Sequence, residues 1–575
     1  MRIRRGSITL LSLATLSLFA SVVCAQTDSA GMVVSKRGLV ISSSSIASDV
    51  GASILRRGGN AVDAAVATAF ALAVTYPGAG NIGGGGFMVV RLKNGTATTI
   101  DYRERAPFGS TQTMYLDANG KIDRKLTATG YLAPGVPGTV RGLALAHRKY
   151  GKLAWRDVVM PAAQLAMKGF PLDSELARSL NREVAQGMKP YPASVAAYGK
   201  NSGSWQTGDT IVLADLGRTL TAIATRGPDA FYKGWIADSI AAEMQRNGGL
   251  ITKKDLAAYQ AKARAPIRGQ YQGYDIVTMP PPSSGGVAMV EMFNILSHFD
   301  LEKQGRWSPE TLHLMIEAMR RAYVDRARYL GDPDFVKMPL AHLTSPKYAA
   351  SLAAHVDRAK ATSSVELGKD IVTPASVATE SDETTQFSIV DADGNAVSNT
   401  FTLEGGYGSH VVVRGAGFLL NNEMGDFNKK SGETNVQGDI GTPANLIAPG
   451  KRMLSSMSPT IVTKNGKLFM VTGSPGGRTI INTVMEVVLN ATGFGMSARE
   501  AVDAPRLHHQ WLPDMATFER DALPDSTLAR LRAMGHSVEQ HGRQGDAHTI
   551  IFDAKTRTAY GANDRRSADS KASAP

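Results

Sequence analysis

Apolar positions fall into two regimes along the chain. From 48 to 76 and from 136 to 350 they recur at three-to-four spacing, the period of a helix face; after 384 they shorten into strand-like runs. The stretch 48–76 predicts a long helical segment with a weak point at Gly58-Gly59, after which Asn60 can cap a second helix, AVDAAVATAFALAV. That second helix is apolar almost all round, which predicts burial. Beyond Pro77 come a glycine loop and two strand-like runs, 87–92 and 96–104. Within 136–350 lies PPPSSGG (280–286), a turn-rich loop. Residues 362–383 are polar and Ser/Thr-rich and read as an exposed connector. After it, TQFSIVDADGNAVSNTFTL, HVVVRGAGFLL and SPTIVTKNGKLFMVTG predict strands. TIINTVMEVVLNATG (479–493) predicts a helix, and AHTIIFDAKTRTAYGA a late hairpin. No internal repeat is present. Helices and strands in blocks predict a layered α+β (αββα) enzyme and not a string of domains.

Composition narrows the class. One Cys in 575 residues excludes a disulfide framework, a Cys-ligated zinc site and an iron–sulfur centre. Residues 1–25 read as a secretory signal: Arg2, Arg4 and Arg5 precede a short apolar run, and Val23-Cys24-Ala25 ends in small residues. Bulky Val23 before the Cys disfavours a lipoprotein, and the run is too short for a membrane anchor. Export to a periplasmic or secreted location with cleavage after Ala25 is expected. The mature chain then has no Cys, which suits an oxidising compartment, and its net charge falls from +12 to +9. Lys and Arg are scattered with no dense run, so neither nucleic acid nor an anionic membrane is expected as a partner.

The standard motifs are mostly absent. Gly78-x-Gly80-x-x-Gly83 matches the dinucleotide fingerprint in letters, but it follows a helix and precedes a strand, so close backbone packing is the expected use. His313 and Glu317 sit four apart on one helix face; without a second pair they read as a structural pair, not a metal site. His508-His509 reads as structural too. There is no GxSxG, HExxH or phosphate loop.

The segment after the connector carries the chemistry. Asp393-Gly394 is a hairpin signal. With a three-residue loop, Ala392 to Gly394, and Gly394 in the left-handed position, Asp391 pairs with Asn395 and Thr384 falls opposite Thr402. Glu404 follows two residues on along the same face. A two-residue loop shifts the pairing by one. A free N-terminal Thr is a solution to nucleophilic catalysis, with its hydroxyl attacking and its α-amine as base. A cut between Glu383 and Thr384, at the end of the polar connector, produces one. Downstream, Ser455-Ser456 offers adjacent hydroxyls, and Gly476-Gly477 places amides without side chains before a helix, good donors for an oxyanion.

Taken with GGNAVDAAVATAFAL, GNIGGGGFMV, DYRERAP, PPPSSGG, EAMRRAYVDRARYLGDP, ETTQFSIVDADGNAVSNTFTL, LLNNEMGDF, MLSSMSPT, VTGSPGGR and APRLHHQW, the chain resembles the γ-glutamyltranspeptidase (glutathione hydrolase) family over essentially its whole mature length. The resemblance implies a four-layer αββα N-terminal-nucleophile fold. It implies a precursor that cuts itself into pieces 26–383 and 384–575, which stay together as one enzyme. It implies Thr384 as nucleophile, with Thr402 supporting it and the Gly476 and Gly477 amides forming the oxyanion hole. Arg103, assisted by Ser455 and Ser456, would hold the glutamyl α-carboxylate; Glu404, Glu423 and Asp426 would face the α-ammonium. Three carboxylates facing nothing repel one another, so a cationic ligand is their expected partner. The expected substrates are glutathione and other γ-glutamyl compounds, with water, amino acids or peptides as acceptors, and no metal or organic cofactor.

The resemblance has departures. The loop Lys429 to Asn445 carries no aromatic, with Gln437 where a family Tyr would fall, which implies a more open site. Glu423 stands where some relatives carry Gln, and the chain's Ala562-Asn563-Asp564-Arg565-Arg566 lacks a family Pro. Two competing functions remain at this stage: a β-lactam acylase of the same fold acting on glutaryl amides, and a non-catalytic exported binding protein that stays uncut.

Overall fold

The computed structural model describes residues 31–373 and 384–575. The signal segment and Glu383 lie outside the described residues. Two seven-stranded sheets stack face to face, each built from both sides of the Glu383–Thr384 junction. The first runs Val33–Ser35, Thr558–Ala562, Thr549–Asp553, Lys467–Thr472, Thr460–Lys464, Tyr274–Thr278, Ile267–Tyr271. The second runs Lys571–Ser573, Gly38–Ser42, Thr385–Asp391, Ala396–Thr402, Gly85–Arg91, Ala97–Asp101, Lys262–Arg264. All pairings in both sheets are antiparallel.

Strand alternation sorts the core into layers. Leu39, Ile41, Val390, Val471 and Ile550 meet between the sheets. Val40, Phe387 and Ile389, which alternate with them, face the helices Ser45–Arg56 and Ala61–Thr75 instead. The other sheet is covered by Gly285–Leu296, Pro309–Tyr329 and Thr479–Gly493. The result is the αββα architecture expected from the sequence. Asn60 caps Ala61–Thr75 with a full capping box to Asp63, and all fifteen residues of that helix are buried.

Three readings need correction and one needs an exception. The region 136–350 is mostly helical, as expected, but Lys262–Arg264, Ile267–Tyr271 and Tyr274–Thr278 are strands. Their alternation is short, and long-range pairing to 97–101 and 460–464 decides them. The segment 410–420 forms no regular strand, only an isolated bridge Val412↔Leu419, because His410, Gly415 and Gly417 all turn to positive φ. Residues 362–373 are not a loose connector. Thr362 donates to Glu317, Ser364–Leu367 is a helical turn, and Trp511 Nε1 donates to the Ser364 carbonyl at 2.8 Å. Glu404 does not continue the strand face, since the strand ends at Thr402 and Glu404 takes φ 83°.

Candidate active site

The hairpin sets the site's origin. Thr385–Asp391 pairs with Ala396–Thr402 in the register Thr385↔Phe401 through Val390↔Ala396. Gly394 takes φ 86°, and Asp391 N–H donates to the Asn395 carbonyl at 3.0 Å, as a three-residue loop requires. Continued by one residue, that register sets Thr384 opposite Thr402. The glycine loop at 83–86 fixes the far end of the second strand: Asn81 Nδ2 donates to the Thr402 carbonyl at 2.8 Å, and a Cβ on Gly84 would lie 2.2 Å from that oxygen. Thr402 Oγ1 accepts the Glu404 N–H at 2.9 Å. A Cβ on Gly80 would lie 2.2 Å from the Leu72 carbonyl oxygen and one on Gly83 2.0 Å from that of Leu419, so close packing accounts for these two of the fingerprint-like glycines.

Thr384, Thr402, Glu404, Arg103, Glu423, Asp426, Ser455, Ser456 and Gly477 line one small cavity of about 40 Å³. Gly476 borders Thr384 in the neighbouring cavity. Gly476 and Gly477 have φ 125° and 54° and turn the chain into Thr479–Gly493. The loop PPPSSGG positions the serines: Ser284 N–H and Oγ both donate to the Ser455 carbonyl, at 2.7 and 2.6 Å. A Cβ on Gly285 would meet Ser458 Oγ at 2.0 Å, so the glycine allows this docking.

The charges are arranged differently from the expectation. Arg103 is fully buried, and its fork is already held by Glu423 on Nη1 and Asp426 on Nη2, with Glu104 at 3.7 Å. Nε and Nη2 also donate to the Met453 and Leu454 carbonyls, at 3.3 and 3.2 Å. The acids therefore do not face an empty space: Arg103 compensates Glu423 and Asp426. Asp426 is its accessible partner, 26% exposed against 1% for Glu423. Burial opposes the Arg103 charge, but the three acids together hold its pKa above the arginine norm. Burial pushes Glu423 up to about 7, with Arg103 opposing and Asp426 adding. Burial and Glu423 hold Glu104 well above the carboxylate range, and neither Glu104 carboxyl oxygen has a hydrogen-bond partner.

Three residues escaped the sequence reading. Glu104 neighbours Arg103 in DYRERAP, which was the available signal. Arg326 lines the cavity and donates to Ser284 Oγ at 2.9 Å and Ser456 Oγ at 3.2 Å; its signal was a cation beside the buried stretch of Pro309–Tyr329. Arg478 follows Gly477 directly.

The aromatic-free loop is pinned by polar contacts. Arg124 forms an ion pair with Asp439 at 2.7 Å, and Arg478 Nη1 donates to the Gly438 carbonyl at 3.2 Å. His313 Nδ1 lies 2.7 Å from His536 Nε2, while Arg320, Arg321 and Thr362 hold Glu317; His536 is a third residue that the sequence reading did not bring to the pair, and the three buried side chains lie close enough together to hold a metal ion. His509, paired with Asp514 at 3.2 Å, is likewise buried, and burial lowers it to about 4. No helix among the described residues is long and apolar enough to cross a membrane.

Residues 47–574 match the family profile described as Gamma-glutamyltranspeptidase. A protein named glutathione hydrolase proenzyme from Escherichia coli (strain K12) is 49% identical over 537 residues, covering 93% of this chain and 92% of its own. Among solved structures, a cephalosporin acylase from Bacillus halodurans has a TM-score of 0.82 at 27% identity, covering 97% of this chain and 99% of its own. The γ-glutamyltranspeptidase of Helicobacter pylori has a TM-score of 0.56 at 42% identity, covering 57% of this chain and 94% of its own.

Proposed function

The chain belongs to the γ-glutamyltranspeptidase family, and from that premise we propose how its residues divide the work. Its activity is the hydrolysis of γ-glutamyl amides such as glutathione and transfer of the γ-glutamyl group. In the proposed maturation, a signal covering 1–25 is removed on export to the periplasm or the outside. Thr384 Oγ then attacks the Glu383 carbonyl carbon and the peptide C–N bond breaks. Water hydrolyses the resulting ester, which leaves pieces 26–383 and 384–575 and a free α-amine on Thr384.

In turnover that amine takes the proton of Thr384 Oγ, which attacks the γ-carbonyl carbon. The Gly476 and Gly477 amides receive the developing oxyanion, Thr402 supports the nucleophile, and the amine leaves carrying the proton. Water or an acceptor amine then attacks the ester. The head group exchanges ion pairs. Its α-carboxylate takes Arg103 Nη2 with help from Ser455 and Ser456, and Asp426 swings with Glu404 to the α-ammonium. Glu423 stays on Nη1. One ion pair becomes two, so no buried charge is stranded.

The observation that carries this reading is the cavity in which Thr384, at the mouth of the hairpin, meets buried Arg103 and its acids. On a denaturing gel the purified protein should run as two bands, and Thr384→Ala as one. The cut enzyme should turn over γ-glutamyl-p-nitroanilide well and glutaryl-p-nitroanilide poorly, since the glutaryl group brings no ammonium for Asp426. Normal cutting of Thr384→Ala would sink the nucleophile; equal turnover of the anilides would move the reading to the acylase.

A further inference from the structure

We propose that His313, Glu317 and His536 form a binding site for one divalent metal ion of the zinc type, built from both sides of the Glu383–Thr384 junction. His313 and Glu317 lie four apart on Pro309–Tyr329, and His536 reaches them from the turn after Asp525–Ala533. One ligand atom from each lies within 4.8 Å of the other two, and the three residues are 0%, 0% and 5% exposed. Two imidazoles and a carboxylate suit zinc, with a water in the fourth position. None of the three lines the cavity that holds Thr384 and Arg103, so the site is separate from the chemistry there.

The surroundings prepare the ligands. His313 Nε2 lies 2.8 Å from the Asp357 carbonyl, which can only accept, so Nε2 carries the hydrogen and the neutral ring keeps a lone pair on Nδ1. A carbonyl behind one ring nitrogen, with the other left to ligate, is how metal-binding histidines are oriented. That Nδ1 lies 2.7 Å from His536 Nε2, which must then be the donor. His536 Nδ1 is buried with no hydrogen-bond partner, so nothing fixes the tautomer of that ring. The metal ion takes the place of the hydrogen between the two rings, and that hydrogen moves to His536 Nδ1. Bonds of about 2.0–2.1 Å to each nitrogen hold the two roughly 3.3 Å apart, a small parting of the rings.

Glu317 is braced in the same way. Thr362 N–H donates to Oε1 at 3.0 Å, and Thr362 Oγ1 and Arg321 Nη1 both donate to Oε2 at 2.5 Å. Arg320 Nε, 3.4 Å from Oε1, makes no hydrogen bond, so among the described residues Oε1 keeps a lone pair for the metal. Neither arginine depends on that oxygen: Arg320 also pairs with Asp514, and Arg321 Nη2 donates to the His355 carbonyl at 3.0 Å. These two arginines balance Glu317 and Asp514 before the ion enters. Filling therefore adds net charge, and the affinity for zinc should be micromolar rather than tighter. Ala361 N–H donates to the Met534 carbonyl at 2.7 Å, so the ion would clamp the segment 357–362 where it already meets the turn bearing His536.

The test strips untagged full-length protein with a chelator, dialyses it, and titrates it with cobalt(II) chloride and then zinc chloride. Cobalt should give the strong visible absorption of a four-coordinate ion, saturating at one equivalent per chain, and zinc should bleach it. The thermal midpoint should rise by roughly 3 °C or more at a hundredfold excess of zinc over Kd. His536→Asn and His313→Asn should each lose both the absorption and the thermal shift. Variants that take up cobalt as the wild type does overturn the site. So does a wild type whose cobalt spectrum stays that of the six-coordinate ion and whose melt ignores zinc; the cluster is then a hydrogen-bonded network only. If either variant melts without a cooperative transition, the wild-type titration decides alone.

Discussion

Thr384 and Arg103 line one cavity, but they arrive there by opposite routes. Thr384 sits at the mouth of a hairpin whose turn and register are local, closed by Gly394 at φ 86°. The arginine is held by Glu423 and Asp426, 320 and 323 positions away, and by two carbonyls of the loop at 453–454. The hairpin half is rigid by backbone hydrogen bonding and tolerates modest side-chain change. The arginine half is a buried charge cluster in which each member needs the others. Placement by strand register is thus robust to single losses, and placement by mutual charge compensation is not.

The sharpest way to break that contrast is Arg103→Ala. It leaves Glu423 and Glu104 buried without their cation, so stability in a urea melt should drop by about 3–5 kcal/mol. Turnover of γ-glutamyl anilide should fall roughly 30-fold or more in kcat/KM. Unaltered stability would mean the acids do not depend on Arg103.

A smaller effect should come from Glu423→Gln, read against pH. Burial raises Glu423 from 4.5 to about 7 in the fold. A raised folded-state value means that its protonated form favours the fold. That contribution is full below about 4.5 and is lost as pH rises through 7. Wild-type Tm should therefore fall relative to Glu423→Gln between those values, by roughly 2–4 °C. A gap that stays constant with pH would remove Glu423 as the titrating group.

The smallest belongs to the hairpin. A Cβ on Gly394 meets nothing closer than Phe552 at 3.9 Å, so Gly394→Ala carries only the left-handed backbone cost, about 1 kcal/mol. Self-cutting should persist. Loss of cutting would show that the register of Thr384 hangs on this turn more than on the two flanking strands.

The same contrast explains what could be read from the residues alone. Asn60 with Asp63, the Asp393-Gly394 turn and the helix 479–493 are decided within a few positions, and their letters carry the answer. The Arg103–Glu423–Asp426 cluster is decided by the fold, so the acids were expected to wait for a ligand's ammonium when they already neutralise an arginine. Strands 262–278 depend on partners at 97–101 and 460–464, and residues 410–420 are apolar like a strand but break at His410, Gly415 and Gly417. Pattern does not show where a positive φ will interrupt it.

The strand order of the two sheets bears on how a cut enzyme would age. In one sheet, Thr385–Asp391 and Ala396–Thr402 lie between Gly38–Ser42 and Gly85–Arg91; in the other, Thr460–Lys464 lies beside Tyr274–Thr278, and Val33–Ser35 beside Thr558–Ala562. A cut before Thr384 would leave two polypeptides woven through one another. Dilution cannot part them, because neither has a separable interface, and dissociation becomes the same event as unfolding. The activity of such an enzyme should be independent of protein concentration, and its separately made halves should regain function only by folding in each other's presence.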